Sequence, residues 1–158
     1  AGGREDDFRY KTCKVIKDLG LTDEVIFVGW ASDEQLASYY TQAELFAFPS
    51  IYEGFGWPPL EAMACGCPVV SSKAASMPEV LGDAASYVDP FDVMGWVNAM
   101  RRVLTSEGVR STLSSLGRAR AERFTWERAA KETLQIYREV EEEVSSGFRD
   151  TQRLATIS

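Results

Sequence analysis

The spacing of apolar positions changes repeatedly along the chain, and each change marks a boundary. From Glu5 to Leu19, the apolar residues Phe8, Val15, Ile16 and Leu19 predict a weakly amphipathic helix, closed by Gly20. Val25 to Trp30, VIFVGW, is a short run of β-branched and aromatic residues that predicts a buried parallel strand. Ser32-Asp-Glu-Gln35 has the pattern of a capping box and opens a helix through Leu36, Tyr39 and Tyr40. Further strands are predicted over Leu45–Ser50, stopped by Pro49, and over Pro68–Ser72 and Ala85–Asp89. Between them lie a helix over about Pro59–Ala64, with Pro58 suited to its first turn, and a short helix after a second capping box, Ser76-Met-Pro-Glu79. Asp89-Pro90 is expected to cap a helix with Met94, Val97, Met100, Val103 and Leu104 on one face. Two helices follow, over about Gly108–Arg123 and, from a Thr125 cap, Trp126–Val144. The segment from Ser145 is polar and aperiodic and reads as a frayed end or linker.

Strand and helix alternate with short connections. That order predicts an α/β fold: a mostly parallel, Rossmann-like sheet with helices on both faces. Such sheets bind ligands outside the carboxyl ends of their strands. The loops of interest are therefore Gly29–Ser32, Ser50–Trp57, Ser71–Ser76 and Asp89–Asp92. Residues 1–144 read as one domain and 145–158 as a polar C-terminal tail. Ala1-Gly2-Gly3 reads as the end of a βα unit whose strand lies upstream, so the expectation is a domain truncated at its N-terminus.

Composition removes several function classes. Hydrophobic residues make up 45% of the 158 and charged residues 26%, as in ordinary globular proteins. No apolar run approaches the ~18 residues of a membrane span, and no signal peptide is visible. A formal net charge of −7 opposes nucleic-acid binding, which needs a basic surface. The arginines at 118, 120, 123 and 128 lie near Glu122 and Glu127 and predict a solvated, salt-paired surface. The odd number of cysteines, Cys13, Cys65 and Cys67, argues against a disulfide framework and fits a reducing, cytoplasmic location. The absence of histidine excludes a Ser-His-Asp or Cys-His centre within the chain. No G-x-G-x-x-G follows a strand, which argues against dehydrogenase-like dinucleotide binding.

The chemistry concentrates in FPSIYEGFGWPPLEAMACGCPVV. Glu53 and Glu61 stand eight positions apart, with Gly54, Phe55, Gly56, Trp57 and Pro58-Pro59 between them. Gly54 and Gly56 allow a tight turn and close approach of backbone to a ligand. The N–H groups of Phe55, Gly56 and Trp57 then lie at a helix start, where anions and hydroxyl oxygens are attracted. The two prolines carry no N–H and stiffen that start, and Glu61 is expected in the helix's first turn. Two carboxylates flanking such a loop suit a ligand with hydroxyls at both ends and a diphosphate between. The bland alternative is a solvated loop acid and a helix-capping acid, which leaves the rigid Gly-Pro loop between them unexplained.

EGFGWPPLEAMACGCPVVSS resembles the E-(x)7-E region of the retaining glycosyltransferase family 4, a group with the two-domain GT-B architecture. VIFVGWASDEQLASYYTQAELFAFPS, PVVSSKAASMPEVLGDAASYVDPFD and FTWERAAKETLQIYREV resemble the flanking regions and the C-terminal helix, so the likeness covers nearly all of residues 1–144. The resemblance implies the C-terminal, nucleotide-sugar-binding half of a GT-B enzyme. It implies transfer of a sugar, mannose or glucose, from a GDP- or UDP-linked donor to an acceptor hydroxyl with retention. Glu53 matches the glutamate that contacts the donor sugar beside the reacting carbon, and carries the catalytic role. Gly54, Phe55, Gly56 and Trp57 match the loop whose backbone touches sugar and phosphate, although Trp57 is bulkier than the family's usual residue. Glu61 matches the glutamate that binds the ribose, with Leu60 packing beside it. Trp30, Ala31 and Ser32 match the loop that frames the base; Trp30 reads equally as a strand-end core aromatic.

Tyr39 and Tyr40 read as packing, and Ser71, Ser72 and Ser76 as loop and cap residues. No D-x-D motif occurs, so no metal or other cofactor is expected. The family's diphosphate-clamping Arg and Lys would lie upstream of Gly2-Gly3, and Arg4 falls on the wrong side to match. The carbohydrate or lipid-linked acceptor would be held by the missing first domain. That leaves association with the inner face of the membrane open, and this chain alone is expected to bind nucleotide weakly and to transfer no sugar. The alternative reading is a non-catalytic nucleotide-sugar module, or one chain of a split transferase.

Overall fold

The structure is a computed structural model; it describes the backbone from residue 3 to residue 155 and side chains from residue 10 to residue 144. The chain forms two compact units, residues 1–36 and 37–158. In the first, helix α1 (Gly3–Asp18) ends where Gly20, at φ 69°, donates its N–H to Lys17 O at 3.0 Å. Val25–Trp30 forms no strand, contrary to the sequence prediction, and Ile26 is 83% exposed. The apolar run satisfies the local requirement for a strand, but local preference alone does not make one. The capping box does form at the start of helix α2 (Asp33–Gln42). Ser32 N donates to Gln35 Oε1 at 2.9 Å, and Gln35 N to Ser32 Oγ at 3.4 Å.

The second unit is built on three parallel strands in the order β1 (Phe46–Phe48), β2 (Val69–Ser72) and β3 (Ala85–Val88). Val70 pairs with Ala47 on one side and Ser86 on the other. All four β2 residues are buried. Successive strand residues point to opposite faces, so both faces of this central strand are covered. On one of them Val70 and Val88 pack with Trp96 and Val103 of helix α5 (Val93–Thr105), joined by Leu113 of helix α6 (Glu107–Ala121). Helix α3 (Trp57–Ala64) packs on α6 at Gly117, where an added Cβ would lie 3.1 Å from Met63 Cγ. Helix α4 (Met77–Leu81) and a single 3₁₀ turn (Gly82–Ala84) lead into β3, and helix α7 (Trp126–Ala155) follows α6. Because the strands are parallel, the loops after β1, β2 and β3 gather at one edge of the sheet.

Several local expectations are corrected. The core face of α5 carries Trp96, Ala99, Met100 and Val103, while Met94 and Leu104 are exposed. Its cap is Asp92, which accepts from Gly95 N at 2.9 Å; Asp89 closes the preceding turn by accepting from Phe91 N. Backbone helix continues through positions 145–155, where the sequence predicts an irregular tail; 156–158 lie outside the described residues. Thr125 does cap α7, accepting from Arg128 N at 3.2 Å.

The expected salt-paired arginine surface is only partly one. Arg128 pairs with Glu132 at 2.7 Å, but Arg120 donates to Val80 O at 2.8 Å and to Glu79 O, and lies 5.2 Å over the Phe124 ring. It satisfies carbonyls of the short helix α4 instead of a carboxylate.

Candidate functional site

The loop between β1 and α3 is shaped by Gly56. It is the N-cap of α3, with φ 103° and ψ 55°, a backbone region reserved in practice for glycine. It is buried, and an added Cβ would stand 2.3 Å from Met77 Cε. Helix α3 therefore begins at Trp57, two residues earlier than the sequence predicts, and takes both prolines into its first turn. A helix start leaves four N–H groups without intrahelical partners. Pro58 and Pro59 remove two of them, leaving those of Gly56 and Trp57. Among the described residues, the N–H groups of Gly54, Phe55, Gly56 and Trp57 have no acceptor.

The earlier helix start also corrects the position of Glu61, which falls in the second turn and not the first. Its contribution to a helix-end field is smaller there, since that field fades within the first turn. Glu61 is exposed; Leu60 beside it is 5% exposed and belongs to the core, offering almost no surface to a ligand. Tyr40 is buried with its ring edge-on to Phe46 at 5.3 Å, as its packing role predicts. Burial, followed by the negative charge of Glu61, pushes its phenol above the usual range. Tyr40 therefore also stands in the electrostatic surroundings of Glu61, a relation with no sign in the sequence.

Glu53 is half-buried and oriented from its own loop: Ser50 Oγ donates to Glu53 Oε1 at 2.9 Å. Ser72, buried in β2, donates its hydroxyl to Ser50 O. Ser76 stands at the start of α4 but makes no cap hydrogen bond; its Oγ lies 3.0 Å from both Glu53 O and Phe55 O. The reading of these serines as loop and cap residues is therefore corrected. Ser71 and Ser72 are buried strand residues, and Ser50, Ser72 and Ser76 hold the Glu53–Gly56 turn. The available signal was their position at strand ends that a parallel sheet gathers together, but which loop each would meet depends on strand order.

Phe55 and Trp57 join an aromatic cluster that runs to the start of α7. Phe55 lies 4.8 Å from Trp57 and 5.7 Å from Phe124, and Trp57 lies 5.8 Å from Trp126. The bulk of Trp57 thus rests against Phe55 and Trp126. Beside the loop, a cavity of about 500 Å³ is lined by Gly54, Phe55, Ser76, Arg120, Arg123 and Phe124, among others.

Trp30, Ala31 and Ser32 belong to the first unit, while Glu53 to Glu61 lie in the second. Trp30 is 89% exposed, so it is not a core residue here, and Ser32 Oγ is held by Glu34 Oε2 at 2.8 Å. Among the described residues, no three His, Cys, Asp or Glu side chains converge as metal ligands, and no helix is long and apolar enough to cross a membrane.

Comparison with known proteins places these features. O-antigen chain mannosyltransferase B of Escherichia coli is 41% identical over 112 residues, which are 71% of this chain and 29% of that protein. Sucrose-phosphate synthase from Thermosynechococcus elongatus superposes with a TM-score of 0.76 at 34% identity, over 85% of this chain and 34% of its own. Anabaena Alr3699/HepE, solved in complex with UDP-glucose, superposes with a TM-score of 0.71 at 26% identity, over 90% of this chain and 38% of its own. The chain thus spans about a third of the length of the proteins it matches, and its fold is their α/β, Rossmann-like one. The profile of the family "Glycosyl transferases group 1" matches residues 1–120, and the chain belongs to that family.

Proposed function

We propose that the chain supplies the donor site of a glycosyltransferase that moves a hexose from a nucleoside-diphosphate sugar to an acceptor hydroxyl, with retention of anomeric configuration. One observation carries this reading: unpaired N–H groups of Gly54, Gly56 and Trp57 at a helix start, flanked by the carboxylates of Glu53 and Glu61, at the carboxyl ends of parallel strands. In the reaction, the bond from the anomeric carbon to the diphosphate breaks. That carbon bonds to the acceptor oxygen, whose proton ends on the departing diphosphate. Negative charge grows on the leaving group, and N–H groups already fixed in place stabilise it without reorganisation. Glu53 accepts hydrogen bonds from sugar hydroxyls beside the reacting carbon, and Glu61 from the ribose diol. No metal enters this reading.

The name of the Escherichia coli relative favours mannose as the sugar, and the HepE complex supports a nucleotide-sugar site on this fold. The acceptor, a carbohydrate or lipid-linked alcohol, is held by residues outside this chain, on the cytoplasmic side where nucleotide sugars are supplied.

The test is saturation-transfer NMR on the chain with UDP, GDP, ADP, UDP-glucose and GDP-mannose, alongside Glu61→Ala. Selective binding of one base is expected. Loss of a charge-assisted pair costs about 2 kcal/mol, or roughly 30-fold in Kd, in the variant. Equal binding by wild type and Glu61→Ala, or no binding of any nucleotide at millimolar concentration, overturns the reading for this chain.

A further inference from the structure

Two residues in the loop after β2 depart from their local preferences. Ala75 has φ 47°, in the left-handed region that residues with a Cβ avoid, and is the one described non-glycine residue to do so. Ser76 follows at the N-cap of α4, where a serine hydroxyl ordinarily accepts a hydrogen bond from its own helix. Here it makes none, and α4 starts uncapped. Departures from local rules of this kind are expected where tertiary structure has another use for the residue.

That use is visible in the partners of the hydroxyl. Ser76 Oγ lies 3.0 Å from Glu53 O and 3.0 Å from Phe55 O, the carbonyls of the two peptide units that end at Gly54 and Gly56. A hydroxyl has one proton, so it donates to one carbonyl at a time while holding both directed at itself. In a trans peptide unit the C=O and the N–H point in opposite directions. Turning the Glu53 and Phe55 carbonyls toward Ser76 therefore turns the Gly54 and Gly56 N–H groups away from it. Both belong to the run of loop N–H groups left without an acceptor among the described residues.

We infer that Ser76 is a positioning residue of the donor site: from a neighbouring loop, its hydroxyl aims the Gly54 and Gly56 N–H groups at the diphosphate and the sugar oxygens of the bound nucleotide sugar. The inference rests on the donor-site reading above and adds the element that sets the loop's polarity. The contact is specific in kind. Side chains without a hydroxyl at position 76 remove the one donor that the two carbonyls share at the loop's inner side, and the peptide units are then free to rotate. Threonine keeps the hydroxyl and fits the ordinary helical backbone of position 76, at φ −74° and ψ −10°.

The experiment compares wild type, Ser76→Ala and Ser76→Thr in the full chain by ¹H–¹⁵N NMR titration, using UDP and GDP against uridine and guanosine. The nucleoside reports the ribose end held by Glu61; the diphosphate alone reports the loop N–H groups. Ser76→Ala is expected to weaken the bound nucleoside diphosphate by about tenfold, a loss equivalent to one charge-assisted hydrogen bond. The matching nucleoside is expected to change less than twofold, and Ser76→Thr to restore the diphosphate affinity. An equal loss for nucleoside and diphosphate, as a general loosening of the domain would give, overturns the inference, and so does no loss at all. Should Ser76→Ala fail to fold, wild type alone decides: the Gly54 and Gly56 amide resonances must move with diphosphate and stay in place with nucleoside. A wild-type chain that binds neither class refutes the donor-site reading itself, an outcome separate from binding that is indifferent to Ser76.

Discussion

Gly56→Ala is the substitution that tests the architecture of the loop most directly. The structure gives two reasons for glycine at this position. Its φ of 103° lies beyond the range where residues with a Cβ are comfortable, at a cost of about 1–2 kcal/mol. The added methyl would also stand 2.3 Å from Met77 Cε and 3.1 Å from Met77 Sδ. Methionine is flexible, but Met77 is 1% exposed and has no open space into which to swing, so overpacking adds about 1–3 kcal/mol. Together the loss is about 2–5 kcal/mol, a large share of the stability of a typical domain. For a domain of this size it corresponds to a fall in Tm of about 4–20 °C.

Gly54→Ala is the matched control. It lies two residues earlier in the same loop, its φ is not in the left-handed region, and a Cβ there meets nothing within 4 Å. Its cost should stay within about 0.5 kcal/mol. Urea unfolding of wild type and both variants gives the comparison, and in a Met77→Ala background, which carries its own cavity cost, adding Gly56→Ala should cost only the backbone part. Equal stabilities for Gly54→Ala and Gly56→Ala would refute the reasoning. So would a Gly56→Ala that costs nothing in the Met77→Ala background, which would leave no share for the backbone.

Two further outcomes follow from other parts of the unit. Tyr87 donates its hydroxyl to Gly82 O at 2.7 Å and lies 3.2 Å from Met77 O, tying β3 to both ends of α4. Tyr87→Phe should cost about 1–3 kcal/mol by removing the donor to Gly82 O, measured by urea midpoint at constant slope; an unchanged midpoint would show that water replaces the hydroxyl. Burial, reinforced by Cys65, pushes the Cys67 thiol up from 9.0 to about 11. The unfolded chain releases that proton first, so the contribution to stability is complete below pH 9 and is lost as pH rises through about 11. The loss is on the order of 2–3 kcal/mol. Cys67→Ala should remove about one proton's worth of slope from the stability curve between those values, and a variant with the wild-type slope would contradict it.

What could be read from the sequence is what short stretches decide for themselves. The capping box at Ser32, the Thr125 cap, the glycine closing α1, and the glycine before α3 with the prolines in its first turn act within a few residues, so they were legible. So were the three apolar runs that became β1, β2 and β3. The turn between Glu53 and Trp57 was legible as well, because its glycines and the prolines that follow stand in consecutive positions.

The remainder needed partners distant in sequence. Val25–Trp30 has a strand's composition, yet a strand exists only through another backbone, and the run does not form one. Asp89 and Asp92 are equally good caps on paper; the choice fell to Asp92, with the Trp96 indole donating to Asp89 O at 3.1 Å beneath. Ser76 reads as a helix cap in every local respect. It serves the Glu53–Phe55 turn because parallel pairing of β1 with β2 brings the two following loops to one edge of the sheet. The sequence by itself determined which groups the loop between β1 and α3 carries. The tertiary structure decided which way they point, because peptide orientation in a loop is set by acceptors and hydroxyls that arrive from other strands.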